Sequence, residues 1–216
     1  MIRSNLLKAR KDRLRNPKTK EMSFYSIAPF IQAHYPEYWG MQSYPAMRCA
    51  CIRKVNEKWG ILGNFAHTPI TIDGISFDTS ERLFQCMKFK DKDAIEAVFR
   101  ANNPKMTAKH WEKDYRRADW GQMIVDVMKF CLVKKYEQSE AFRNELERSK
   151  GLFIVEDQST FTKKQPDAWG VKLHEDSYEG PNLLGRLLME LRDTGSLNYS
   201  LPDDALGFIE TWKASR

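Results

Sequence analysis

The run Thr79-Ser80-Glu81-Arg82-Leu83-Phe84-Gln85-Cys86-Met87-Lys88-Phe89 constrains this chain more than any other segment. It directly follows Ile70–Phe77, which reads as a hairpin because Asp73-Gly74 supplies the positive φ angles of a tight primed turn. At about 100° per residue, Glu81, Gln85 and Lys88 fall in one narrow stripe, whereas Leu83, Phe84 and Met87 point elsewhere. Thr79 or Ser80 offers a hydroxyl to the unpaired amides of the helix start and so fixes the register from the first turn. The spacing predicts a helix over 79–89 with a greasy flank and a stripe that presents a carboxylate, an amide and an amine together. A polar trio of this kind also suits a solvated surface helix, so the stripe alone does not define a site.

With 216 residues the chain can bury one sizeable core and carry extensions. An apolar content of 42% with six Trp excludes a wholly disordered chain. No apolar run reaches bilayer length, and the basic start lacks the apolar stretch of a signal peptide, so a cytoplasmic protein with no membrane attachment is expected. Cys49, Cys51, Cys86 and Cys131 include only one close pair, and the four His are scattered singly. That spacing implies free thiols in a reducing compartment and no structural metal.

The net charge of +6 is unevenly placed: residues 1–20 hold eight basic side chains against Asp12, a sum of +7 beside −1 for the remainder. This basic N-terminal arm suits attraction to phosphates, although it lacks the interleaved aromatics that would read bases. Residues 21–47, rich in Tyr, Trp and Pro, show no clean period and read as an irregular extension wrapped on the core. Residues 48–55 read as a strand. Asp119 stands where it would cap a long core helix with Ile124, Val127, Met128, Cys131 and Leu132 at helical spacing. Ser139 opens another helix that Gly151 ends, and Leu152–Val155 reads as a short buried strand or extended link. Asn182–Leu191 is again helical, with Gly185 at a position that calls for close backbone approach by a ligand or by a helix. Asp203 or Asp204 starts a last helix through Ile209 and Trp212.

Five pieces in order carry a resemblance: Trp59-Gly60-Ile61-Leu62-Gly63-Asn64-Phe65, Thr79–Phe89, Asp119-Trp120, Trp169-Gly170, and Asn182–Arg192. Across roughly 48–193 the chain resembles the NADAR family, named for its links to NAD and ADP-ribose. The resemblance implies a compact, mainly α single domain with a small antiparallel β element. The domain plan is then a basic arm (1–20), an irregular extension (21–47), a catalytic domain (48–193) and a C-terminal helical extension (194–216). It also implies a hydrolase of N-glycosidic bonds. Such proteins have two activities: removal of ADP-ribose from guanine bases in DNA, opposing an ADP-ribosyl transferase toxin, and cleavage of phosphorylated intermediates of riboflavin synthesis.

Breaking a C1–N bond requires an acid near the base and a negative or nucleophilic group near the sugar. The family motif S-E-x-x-x-Q-x-x-K-F is matched by Ser80, Glu81, Gln85, Lys88 and Phe89, which gives Glu81 and Lys88 catalytic roles. Lys88, if desolvated, can attack an opened sugar at C1 as a Schiff base. The family usually places an Asp three residues ahead of the Trp-Gly pair. Here Pro166 holds that place, and Asp167 sits one residue closer, after an apparent insertion at 160–165. Asp167 is therefore the candidate third catalytic residue, with Glu156 in reserve. Asn64 and Phe65 match an S-N-F element in which Gly63 replaces Ser, although spacing alone favours Asn64 as a turn residue. Trp120 reads as a stacking ring or a core anchor, and Lys109 and Lys113 as holders of a diphosphate. Together with Gln85, Trp169, Gly170, Asn182 and Gly185, Asn64, Phe65, Lys109 and Trp120 make up the candidate ligand-binding set.

The expected function is a DNA-guanine ADP-ribosyl glycohydrolase, acting on ADP-ribosylated DNA and countering a partner DNA ADP-ribosyl transferase toxin, with no metal or nucleotide cofactor. The basic arm favours a polyanionic substrate, and Pro104–Lys109 stands where shorter members of the riboflavin type tend to carry a Gly-Arg. The alternatives are an N-glycosidase of riboflavin intermediates and, from another class, a non-catalytic ADP-ribose binding module.

Overall fold

The computed structural model describes residues 28–214; the basic arm lies outside the described residues. Within them the protein is mainly helical. Its centre is α5 (Trp120–Gln138), whose Met123, Ile124, Val125, Val127, Cys131 and Leu132 are buried. Because these residues cover more than one face, the helix is surrounded rather than laid on a surface. Against it pack α1 (Ala28–His34), α2 (Ser80–Cys86), α6 (Glu140–Arg148) and α7 (Leu183–Thr194). Asp119 precedes α5 without capping it, since Arg117 takes both carboxylate oxygens at 2.9 and 2.7 Å. The helix starting next, α6, is capped as expected: the Phe142 amide donates to Ser139 Oγ at 3.2 Å.

Two further helices, α3 (Lys92–Arg100) and α4 (Pro104–Tyr115), run between α2 and α5. Asp91 caps the first, and Asn103 followed by Pro104 starts the second. Arg82 of α2 donates to the carbonyls of Val98, Phe99 and Ala101 and so closes the end of α3. That contact fixes the site helix against its neighbour. The last helix, α8 (Gly207–Lys213), begins beyond Asp203 and Asp204; Asp204 instead binds Lys90 and Arg117.

The β structure is antiparallel in two of its three pieces, as expected, and adds one parallel pair. β1 (Gln42–Pro45), β6 (Lys172–His174) and β7 (Ser177–Gly180) form an antiparallel sheet in the order β1-β7-β6, with Tyr44 opposite Tyr178. β3 (Ile70–Ile72) and β4 (Ile75–Phe77) make the expected hairpin, with Asp73 and Gly74 at φ 47 and 81. The third pair is parallel: β2 (Cys49–Ile52) runs beside β5 (Phe153–Glu156), with Ile52 opposite Glu156. Nor are residues 28–47 irregular, because they supply α1, a 3-10 turn at Pro36–Tyr38 and strand β1. Tyr35, Tyr38 and Tyr44 are buried, so the aromatic content of this segment is spent on the core. Among the described residues no helix is long and apolar enough to cross a membrane.

Candidate active site

β2 and β5 end side by side, and a cleft of about 1020 Å³ opens there. Ile52, Arg53 and Lys54 enter it from one strand, and Glu156 and Asp157 from the other. Adjacent parallel strands commonly deliver ligand groups at their carboxyl ends, where the following loops diverge.

Helix α2 supplies the next part. Thr79 accepts from the Arg82 amide at 3.0 Å, which sets the first turn. Ser80 Oγ donates to Asn64 Oδ1 and to its carbonyl, both at 3.2 Å, and the Glu81 amide donates to the same carbonyl at 3.0 Å. Asn64 therefore braces the start of α2. Glu81, only 5% exposed, accepts from Gln85 Nε2 at 2.7 Å. Gln85 Oε1 is buried in the cleft without a hydrogen-bond partner. The helix stops at Cys86, so Lys88 reaches the cleft from the following turn rather than from the predicted helical stripe.

Lys88 forms an ion pair with Glu112 of α4 and lies 5.5 Å from the Trp120 ring centroid and 5.8 Å from that of Phe84. Burial pushes its amine below the ordinary lysine range, while Glu112 and then Glu81 oppose the shift. A desolvated amine beside a carboxylate that can receive its proton is a nucleophile held one transfer from readiness. The ring floor consists of Phe84 with Trp120 and Trp169 edge-on at 5.1 and 5.9 Å. Trp120 is 2% exposed and serves the core as well as the floor, whereas Phe65 is 44% exposed at the rim with Lys105 over its ring.

Asp167 lines the cleft from an exposed position. Its Oδ1 is already engaged by Gln158 Nε2 at 2.7 Å and the Trp169 amide at 2.9 Å. Glu156 differs. Its Oε2 is buried without a partner, and burial together with the charges of Asp167 and Glu81 pushes its carboxyl up to about 8, with Lys105 opposing.

Three of the expected ligand residues, Gly170, Asn182 and Gly185, lie outside the cleft and serve packing. Asn182, at φ 53 and fully buried, donates to the Ile154 carbonyl at 2.9 Å and accepts from the Glu156 amide at 3.2 Å. A Cβ on Gly185 would stand 2.1 Å from the Ile154 carbonyl oxygen, so the close approach inferred from the sequence is to strand β5. A Cβ on Gly170 would stand 2.5 Å from the Glu156 carbonyl oxygen. Lys109 and Lys113 do line the cleft, with Lys105 on the same face of α4 at spacings of four. Glu112 was not anticipated. Nothing local to Lys88 announces it; the lysine periodicity of α4 is the signal that would have drawn attention to the helix carrying it. Among the described residues no group of three or more His, Cys, Asp or Glu stands in a metal-holding arrangement.

Fold and cleft together define a helical domain that gathers acid, amine and cationic groups at one site. Its sequence matches the NADAR domain over residues 31–194, and the chain belongs to the NADAR family. That span takes in β1 and most of α1, which the sequence boundary at 48 had left out. The chain is 33% identical over 141 residues to "N-glycosidase YbiA" of Escherichia coli (strain K12), covering 64% of this chain and 82% of that protein. It is 29% identical over 161 residues to a "Riboflavin biosynthesis protein" of Vibrio vulnificus (strain YJ016), covering 73% of this chain and 41% of that protein. The NMR structure of the Escherichia coli protein YbiA superposes with a TM-score of 0.55 at 31% identity, covering 67% of this chain and 83% of the other.

Proposed function

We propose that the protein is an N-glycosidase that removes ADP-ribose from guanine bases in DNA, and so reverses the action of a partner DNA ADP-ribosyl transferase toxin. The observation that carries the reading is the Lys88 amine, desolvated and paired with Glu112 beside Glu81. The name of the YbiA relative supports the bond type. In the proposed reaction Lys88 passes its proton to Glu112 and attacks C1 of the ribose as the C1–N bond breaks and guanine departs with its electron pair, and the carboxylate of Glu81 offsets the positive charge that develops at C1. Water then releases ADP-ribose and restores the amine. Exposed Arg53, Lys54, Lys105, Lys109, Lys113 and Lys163 along the cleft supply the cations that a diphosphate on a polyanion needs. A binding module would have no use for an amine with its proton acceptor in place.

The second reading, cleavage of a phosphorylated riboflavin intermediate, is favoured by the name of the Vibrio vulnificus relative. Incubating purified protein with a guanine-ADP-ribosylated oligonucleotide and, separately, with the phosphorylated riboflavin precursor distinguishes the two. Chromatography should show ADP-ribose released from the DNA, with EDTA present. Intact DNA adduct alongside cleaved precursor would reverse the order. Cleavage of neither would remove the enzyme reading.

A further inference from the structure

Five carboxyls line the cleft among the described residues: Glu81, Glu112, Glu156, Asp157 and Asp167. Four are engaged as acceptors. Glu112 faces the Lys88 ammonium; Glu81 accepts from the Gln85 amide. Asp157 accepts from the Ser159 amide at 2.8 Å and from the Tyr178 hydroxyl, with Arg53 at 3.8 Å. Asp167 takes two donors on Oδ1. Glu156 alone has a buried side-chain oxygen that meets no donor. A carboxylate left so would be strongly disfavoured, whereas a carboxylic acid carries its own donor and waits for an acceptor.

The backbone around Glu156 is fixed. Its amide donates to Asn182 Oδ1, its carbonyl accepts from the Val171 amide at 2.9 Å, and the missing side chain of Gly170 lets that strand approach. An acid on such a scaffold is held in one place, as proton delivery requires.

We infer that Glu156 is the general acid of this site, giving its proton to the departing base nitrogen. The inference rests on the N-glycosidase reading above. As the C1–N bond breaks, its electron pair goes to the nitrogen, which takes the Glu156 proton; Glu156 becomes a carboxylate, and C1 gains a bond to Lys88 Nζ. Water later adds its oxygen to C1 as the C1–Nζ bond breaks and its electron pair returns to Lys88; the amine takes the proton that water gives up, and the proton that Glu112 received passes through solvent to Glu156. Gln85 Oε1, the other unpartnered acceptor in the cleft, is available to an N–H of the leaving base.

The test uses the full chain, as wild type and Glu156→Gln, with two reactions. Turnover of the ADP-ribosylated oligonucleotide should fall by about 10²- to 10⁴-fold in Glu156→Gln. Borohydride trapping of free ADP-ribose on Lys88, which has no leaving base to protonate, should match wild type. Wild-type kcat/KM should decline above a midpoint near 8, and that limb should be missing from the residual activity of the variant. Turnover within threefold of wild type, or loss of trapping in a variant that melts normally, overturns the inference and leaves the glycosidase reading in place. Should Glu156→Gln fold poorly, a wild-type profile flat to pH 10 overturns it. A wild type that neither cleaves nor traps removes the underlying reading, and a Glu156 carboxyl that titrates by 13C NMR below pH 5.5 sinks the inference independently.

Discussion

Lys88 and Glu156 are two buried titratable groups of the cleft, and they are displaced in opposite protonation senses: burial favours the neutral amine at one and the neutral acid at the other. Lys88→Arg keeps the cation opposite Glu112 but offers no lone pair at neutral pH. Binding of ADP-ribose should persist within a few-fold, while turnover drops more than about 100-fold and borohydride trapping disappears. Full turnover would leave Lys88 as a clamp only. Glu156 also makes a stability prediction. Its carboxyl stands at about 8 in the fold against 4.5 ordinarily, so the folded state holds the proton more tightly. The contribution to stability is complete below the lower value and is lost as pH rises through the higher one, at about 1.4 kcal/mol per pKa unit of difference. Glu156→Gln, which cannot ionise, should melt near wild type at pH 5 and above it at pH 9. A Tm difference that is the same at both pH values would show an ordinary carboxyl. Sequence exposed the Glu81-Gln85-Lys88 group because one short segment carries it. The Glu112 partner and the burial of Glu156 arise only when α4 and β5 are folded against α2.

At the scale of elements, periodicity and capping residues made α2, α5, α6 and α7 legible, and Asp-Gly made the β3-β4 hairpin so. Strands β1, β6 and β7 were not, since three or four residues with one or two buried positions leave no period to read. The parallel pairing of β2 with β5 was also hidden, because the strands are separated by the whole run from β3 to α6. Their edge positions the cleft, and Lys135 of α5 helps hold it. Its buried ammonium donates to the Ile61 and Gly63 carbonyls, both at 2.8 Å, just before Asn64. Lys135→Met would leave both carbonyls without that donor, a cost of about 1–3 kcal/mol, and loosen the loop that braces α2. The expected readouts are a lowered Tm and a turnover loss that is smaller than that of Lys88→Arg. An unchanged Tm would mean that the two carbonyls find other donors.

Over the whole molecule the net charge of +6 is unevenly arranged. Residues 21–216 total −1, yet exposed lysines gather on the α4 side of the cleft, and a +7 arm precedes the domain. If the substrate is a modified polyanion, these two sets divide the work. Lysines at the cleft meet the phosphates of the group being removed, and the arm meets phosphates along the strand. Deleting residues 1–20 should then weaken binding of the ADP-ribosylated oligonucleotide and flatten its salt dependence by roughly one unit of slope per lost phosphate contact. Cleavage of an ADP-ribosylated guanine nucleoside, which has no strand to engage, should continue at the wild-type rate. Lys113→Glu should instead raise KM for both substrates, because its charge faces the cleft itself. The comparison is made by measuring KM for each substrate between 50 and about 200 mM salt, the range over which counterion release is steep. An oligonucleotide KM that keeps its salt slope after deletion would show the arm to be idle and would shift weight to the small phosphorylated substrate of the second reading.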